Sequence, residues 1–216
     1  MKNETDNSRV ILYHGSKSGL VGDIAPISRN RCDFGAGFYM GTERIQPLTL
    51  ICTNEKPVLY TVEFDMESLN VLEYETDIDR ALQIAYNRGK LEHIQGSTLY
   101  KRISQMRRGC DVIIGDIAND RMFVVLDRFF DGLITDRALV ESLSALRLGK
   151  QYVAISERAC KQVHIIKEES IGNQELAELR SMSEANRAEG IRIADEIIRQ
   201  NRRDGRFFDE IIETEA

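Results

Sequence analysis

Near the amino terminus, "LYHGS" (12–16) ends an apolar run on a histidine, a glycine and a hydroxyl, and "DFGAGFY" (33–39) sets two glycines just ahead of a Phe-Tyr pair. A histidine at a strand end can hydrogen-bond a ligand hydroxyl, or simply satisfy neighbouring backbone. Gly35 and Gly37 permit close backbone approach or positive φ, and the aromatic pair behind them supplies flat faces. These residues suit the rim of a small-molecule pocket and suit ordinary strand-and-turn punctuation equally. A polar Gln151 opening a late apolar segment, "QYVAIS", is what the punctuation reading leaves unexplained. In "GDIANDR", Asn119 or Asp120 reads as a helix cap. Asp120 and Arg121 also suit the mouth of a pocket, holding a phosphate or an acceptor. Arg29 and Arg31, just ahead of "CDFG", read as surface charge or as pyrophosphate contacts, since the guanidinium matches phosphate geometry.

Several elements must position these groups. Residues 10–13 and 57–65 read as strands, as does 69–74. Within 77–88, Ile78, Ala81, Leu82 and Ala85 recur at three-and-four spacing ahead of Gly89, which predicts a helix. A more basic helix is expected over 98–108. "DVIIG" (111–115) has the continuous apolar run of a strand buried on both faces, and the ambiguous stretch "ANDRMFVVLDRFFDG" (118–132) is read as helix. Thr135 is placed to cap a helix carrying Ala138, Leu139, Leu143 and Leu146. Strands follow at 151–156 and 163–167, joined by a short helical connection.

Composition bounds the class. The chain has 216 residues, 42% hydrophobic and 30% charged, which is globular composition. A net charge of −6 argues against nonspecific attraction to phosphate backbones. The polar opening 1–9 has neither a secretory nor an anchoring pattern, and no run approaches a membrane span, so a soluble protein is expected. Cys32, Cys52, Cys110 and Cys160 are dispersed, with no metal-ligating pattern, and point to a reducing cytoplasm. The chain divides into a polar lead (1–9), a main domain (10–167) and a helical carboxy-terminal extension (168–216). The extension's apolar stripe is read at Ile191, Ala194, Ile197 and Ile198, fit for docking on the domain, pairing with another copy, or holding a partner. The adjacent Phe207 and Phe208 would be costly to leave solvated.

Four motifs in order, "YHGS", "DFGAGFY", "IIGDIANDR" and "QY", resemble the pattern of the bacterial DUF3990 family. The first two also resemble the NAD-binding signature of the ADP-ribosyltransferase superfamily, in its His-Tyr-Glu branch. The resemblance spans 10–167. It implies an α+β fold with a split antiparallel β-sheet core around an NAD cleft, flanking helices and the helical extension. It implies NAD as substrate and transfer of ADP-ribose to a protein or nucleic-acid acceptor, with a bacterial toxin or defence effector as one setting. Its assignment to catalysis falls on His14, Tyr39 and Gln151. Its assignment to NAD binding falls on Tyr13, Gly15, Ser16, Arg29, Gly35, Gly37 and Phe38, with Asn119, Asp120 and Arg121 toward the acceptor or a phosphate.

His14 would bond the adenosine ribose, Gly15 backbone the nicotinamide carboxamide, and Tyr39 would stack on the nicotinamide ring. Two departures matter. The superfamily's glutamate is here Gln151, which can orient a 2′-hydroxyl but carries no charge and is no general base. Asp120 or Glu157 could substitute, or the acceptor could need no base. The second tyrosine of the nicotinamide sandwich is missing as well, leaving Leu48 or Leu50 to cap the ring. The alternatives are a weakly catalytic NAD- or ADP-ribose-binding module that recruits a partner through its tail, and an NAD glycohydrolase. The tail could also contact an antitoxin or form a homodimer.

Overall fold

A computed structural model describes residues 8–28, 31–117, 122–145 and 149–214. Its centre is a seven-stranded sheet in the order β4-β5-β6-β2-β1-β3-β7. The strands are β1 (Arg9–Ser16), β2 (Phe38–Gly41), β3 (Val58–Asp65), β4 (Val71–Glu73), β5 (Val112–Asp116), β6 (Lys150–Ala154) and β7 (Val163–Ser170). The α+β class is as expected, but the sheet is mixed instead of purely antiparallel. β4 and β5 run parallel, with Val71 opposite Val112. A parallel pair needs a long crossover, and α2 (Ile78–Asn87) and α3 (Thr98–Gln105) supply it. The sheet is one body, yet it is thin at its middle. β1 and β2 share a single register pair, Tyr13 with Gly41, whereas β1 and β3 pair along all eight residues from Arg9 to Ser16.

Local sequence explains most of the helices. Asp77 caps α2 by accepting from the Arg80 amide, and Ser97 does the same for α3 at Tyr100. Thr135 caps α5 (Asp136–Ser144) through Ala138. The connection after β6 is the short α6 (Glu157–Cys160), capped by Ser156. Two further helices, α1 (Ile45–Ile51) and α4 (Met122–Phe130), complete the main domain. The chain ends in α7 (Asn173–Gln200) and α8 (Phe208–Thr214).

Strand alternation divides the core between the two faces of the sheet. On one face Leu12, Phe38, Met40, Val62, Phe64, Val112 and Ile114 pack together. On the other, Ile113 and Val153 meet Phe34 and the apolar sides of α2 to α5, while Leu48, Ile51 and Leu59 form a smaller cluster with Leu176 and Leu179 of α7. No helix among the described residues is long and apolar enough to cross a membrane.

Candidate functional site

β1 delivers Tyr13, His14, Gly15 and Ser16 from one end of a fully paired strand. Its alternation separates them. His14 lies with Leu12 on the face of Phe38 and Met40, its ring stacked on Phe38 at 4.1 Å between centroids and 23° between planes. Tyr13 packs on the opposite side with the cluster of Leu48 and Ile51. Gly15 is on that side too. A Cβ there would sit 3.0 Å from the Pro47 carbonyl and 3.1 Å from Ile51, so only glycine lets α1 lie against the strand.

Where the β1–β2 ladder stops, His14 bridges the gap. Its Nδ1 lies 2.7 Å from the Tyr39 carbonyl oxygen. A carbonyl only accepts, so Nδ1 carries the proton and Nε2 keeps a lone pair. Burial holds the imidazole pKa below its ordinary value of 6.5, with the carbonyl partly offsetting that. The ring is therefore neutral near pH 7 and can accept a hydrogen bond from a hydroxyl at Nε2.

Tyr39 stands on the other face, against the main core. Its hydroxyl donates to the Gly35 carbonyl at 2.8 Å and accepts the Phe34 N–H at 3.0 Å. Burial raises the phenol's pKa, with the neighbouring Cys32 adding to the effect, so this donor stays protonated. Tyr39 thus holds the glycine loop in place. Gly35 has a φ of +75°, and Arg107 occupies the place where its Cβ would be. Arg107 donates to the Phe34 carbonyl at 2.6 Å, and Arg88 Nε donates to Asp33 at 3.0 Å. The loop and these helices border a cleft of about 310 Å³ lined by Ser28, Arg31, Gly35, Tyr86, Tyr100 and Arg107, among others.

Gln151 sits near the start of β6 with glycine on both sides, opposite Gly41 of β2 and opposite Gly115 of β5. With Tyr13 facing Gly41, the four positions make a row across the sheet. Gln151 is 7% exposed, and its Nε2 has no hydrogen-bond partner among the described residues. Tyr39, Gly15 and Gln151 thus share a face, while His14 and Phe38 occupy the reverse and connect to it through the Tyr39 carbonyl. Ser16 turns away, donating to Gly19 at 2.9 Å. Gly37 lies on β6, where a Cβ would meet Val153 at 2.5 Å. Glu157 opens α6, beyond the opposite end of β6 from Gln151. Leu48 is fully buried and Leu50 exposed. Arg29, Asn119, Asp120 and Arg121 lie outside the described residues.

A second polar group was not foreseen. Arg80 and Gln83 of α2 are 0% exposed, although their i, i+3 spacing off the apolar stripe reads as a solvated face. The Arg80 stem comes within 3.8 Å of where a Gly115 Cβ would be, beside Gln151. The only sequence signal is that Gly115, which leaves room on β5 for Arg80 and the Phe34 ring.

A protein-family model described as "Protein of unknown function (DUF3990)" matches residues 10–165. No curated protein and no solved structure matches the chain.

Proposed function

We propose that this chain, which belongs to the DUF3990 family, is an NAD-dependent ADP-ribosyltransferase with an ADP-ribosyltransferase-like core, and that residues 10–167 carry its NAD site. The observation that carries the reading is the placement of Gln151. Its Nε2, without a hydrogen-bond partner among the described residues, lies on the same sheet face as Tyr39 and Gly15, one strand from the point where β1 and β2 part. His14, neutral and proton-bearing at Nδ1, adds an acceptor for a ribose hydroxyl. Gly35 and Gly37 keep the loop low, and the Tyr39 ring offers a flat face to nicotinamide.

In this reading the C1′–N bond breaks, its electron pair leaving with nicotinamide, and an acceptor attacks the oxocarbenium-like ribose from the opposite side. The protein contributes positioning and electrostatics. Gln151 orients the 2′-hydroxyl without stabilising the cation, and forgoing a fixed carboxylate costs roughly 2–4 kcal/mol of transition-state stabilisation. The acceptor must then be a group that needs little deprotonation.

The test is to incubate the protein with labelled NAD and either protein or nucleic acid, following nicotinamide release and label transfer together. Release by the wild type, abolished in His14→Ala, is expected. Saturable NAD binding without any release would instead establish the NAD-binding module, a reading that the neutral amide at 151 also supports. Release without transfer to either class of acceptor would establish a glycohydrolase.

A further inference from the structure

Arg80 is a fully buried cation with too few partners. Its Nη1 donates to Thr76 Oγ1 at 2.9 Å and lies 3.6 Å from the Asp116 carboxylate, which itself accepts from Thr76. Among the described residues its Nε and Nη2 have no hydrogen-bond partner. Those two nitrogens form the side-on edge of the guanidinium, the fork that takes a carboxylate in two parallel hydrogen bonds. Burial lowers the Arg80 pKa, and Asp116 offsets only part of that. Gln151 Nε2, on the strand position opposite Gly115, and Gln83 Nε2, one turn along α2 from Arg80, are donors without a hydrogen-bond partner among the described residues as well. Gln83 has spent its oxygen on the Tyr74 hydroxyl, at 3.2 Å.

A set of buried donors without acceptors is costly, because each has lost its water and gained nothing in return. It is relieved by a ligand that brings acceptor oxygens and negative charge. On the Nη1 side the Asp116 side chain that pairs with Arg80 is 42% exposed, while the Arg80 side chain itself is 1% exposed.

We infer that Arg80 and Gln151 form a binding site for a carboxylate, and that this carboxylate is the acceptor of the ADP-ribosyl group. The second half rests on the reading of the chain as an NAD-dependent transferase. A carboxylate resolves the missing base at residue 151, since it is already an anion at neutral pH. Its oxygen lone pair forms the C1′–O bond while the C1′–N pair leaves with nicotinamide. The carboxylate's charge and the pyridinium's charge cancel, so the products are neutral nicotinamide and an ester. No proton or redox partner is required. Planar and singly charged, a carboxylate also fits the fork beside an amide more compactly than a phosphate does.

The site is tested without NAD. Acetate is titrated into the full chain while the Arg80 Nε–H resonance is followed by NMR. Saturable shifts are expected in the wild type, with affinity weaker by about tenfold or more in Arg80→Lys, which keeps the charge but loses the fork. Gln151→Glu supplies the carboxylate from the chain itself, so the acetate response should vanish while the melting temperature holds or rises. That variant remains informative if Arg80→Lys fails to fold. No shift in the wild type, or equal shifts in Gln151→Glu, would overturn the site.

The acceptor role has a separate readout. Transferred label should be released by hydroxylamine, as an ester is, and should compete with acetate. Hydroxylamine-resistant label would overturn the acceptor role. If no nicotinamide is released with any acceptor, the transferase reading and the acceptor role fall together, and the acetate titration alone decides the carboxylate site.

Discussion

His14 donates a hydrogen bond from its Nδ1–H to the Tyr39 carbonyl, and its burial against Phe38 keeps the ring uncharged. The unfolded chain binds the second proton, the one that makes the imidazolium at Nε2, more tightly, because its histidine titrates near 6.5 while the folded one titrates lower. The contribution of His14 to stability is therefore complete above about pH 6.5 and is lost as pH falls through the folded value. Thermal melts at about pH 7.5 and about pH 5 should show a smaller acid loss in His14→Gln than in the wild type. Equal losses would mean that the imidazole is not held neutral. Tyr39 offers a second test at this scale. Tyr39→Phe keeps the ring but strips the Phe34 amide and Gly35 carbonyl of their partner. A loss of about 1–3 kcal/mol in urea unfolding is expected. A neutral result would mean that water replaces the hydroxyl and that the loop is not held by it.

At the scale of elements, the site depends on β2 lying flat between β1 and β6. Gly37 makes that possible, since a Cβ would come within 2.5 Å of Val153 Cγ1 and 3.1 Å of the Ala154 carbonyl. Gly37→Ala should cost about 1–3 kcal/mol by overpacking, whereas Gly96→Ala, with nothing within 4 Å, should melt within a degree or two of wild type. The pair of melting curves checks it. Elements with local signals were legible in the sequence: α2 had its apolar stripe and the Gly89 stop, α5 its Thr135 cap, and β5 its continuous apolar run. α1 was not, because seven residues including Pro47 carry no periodicity, and its packing on Gly15 is a tertiary fact. The parallel β4–β5 pairing likewise depends on partners far apart in sequence. Of the site, the backbone-forming motifs could be read, since glycine and aromatic residues advertise close approach. Arg80 could not be, because its burial is decided by Gly115 on another element.

For the whole molecule, the carboxy-terminal segment is part of the packing. Of the apolar stripe read at Ile191, Ala194, Ile197 and Ile198, Ala194 enters the main core and Ile198 packs against it, and α7 is also buried at Leu176, Leu179, Ser183 and Gly190. Leu176 and Leu179 complete the cluster against α1, and Arg180 donates to the Cys52 carbonyl at 2.8 Å. Arg128 pairs with Asp195 at 2.7 Å, tying α4 to α7. After the Gly205 turn, Phe208 enters the main core at 0% exposure, with Phe129 and Phe130 at 5.5 and 4.8 Å between ring centroids. The cost of solvating the two phenylalanines is thus met by burying one of them within this chain. A partner bound to the tail would have to use its outer face, where Arg192 pairs with Glu189 and Glu196. Phe208→Ala should cost about 3–5 kcal/mol, the range for emptying a buried aromatic site. Unfolding should remain one transition by circular dichroism, because α8 and the sheet share a core. If instead the variant showed an early transition confined to helix, with the remainder melting as wild type, the tail would be a separable unit. The proposed NAD site could then be studied on residues 10–167 alone.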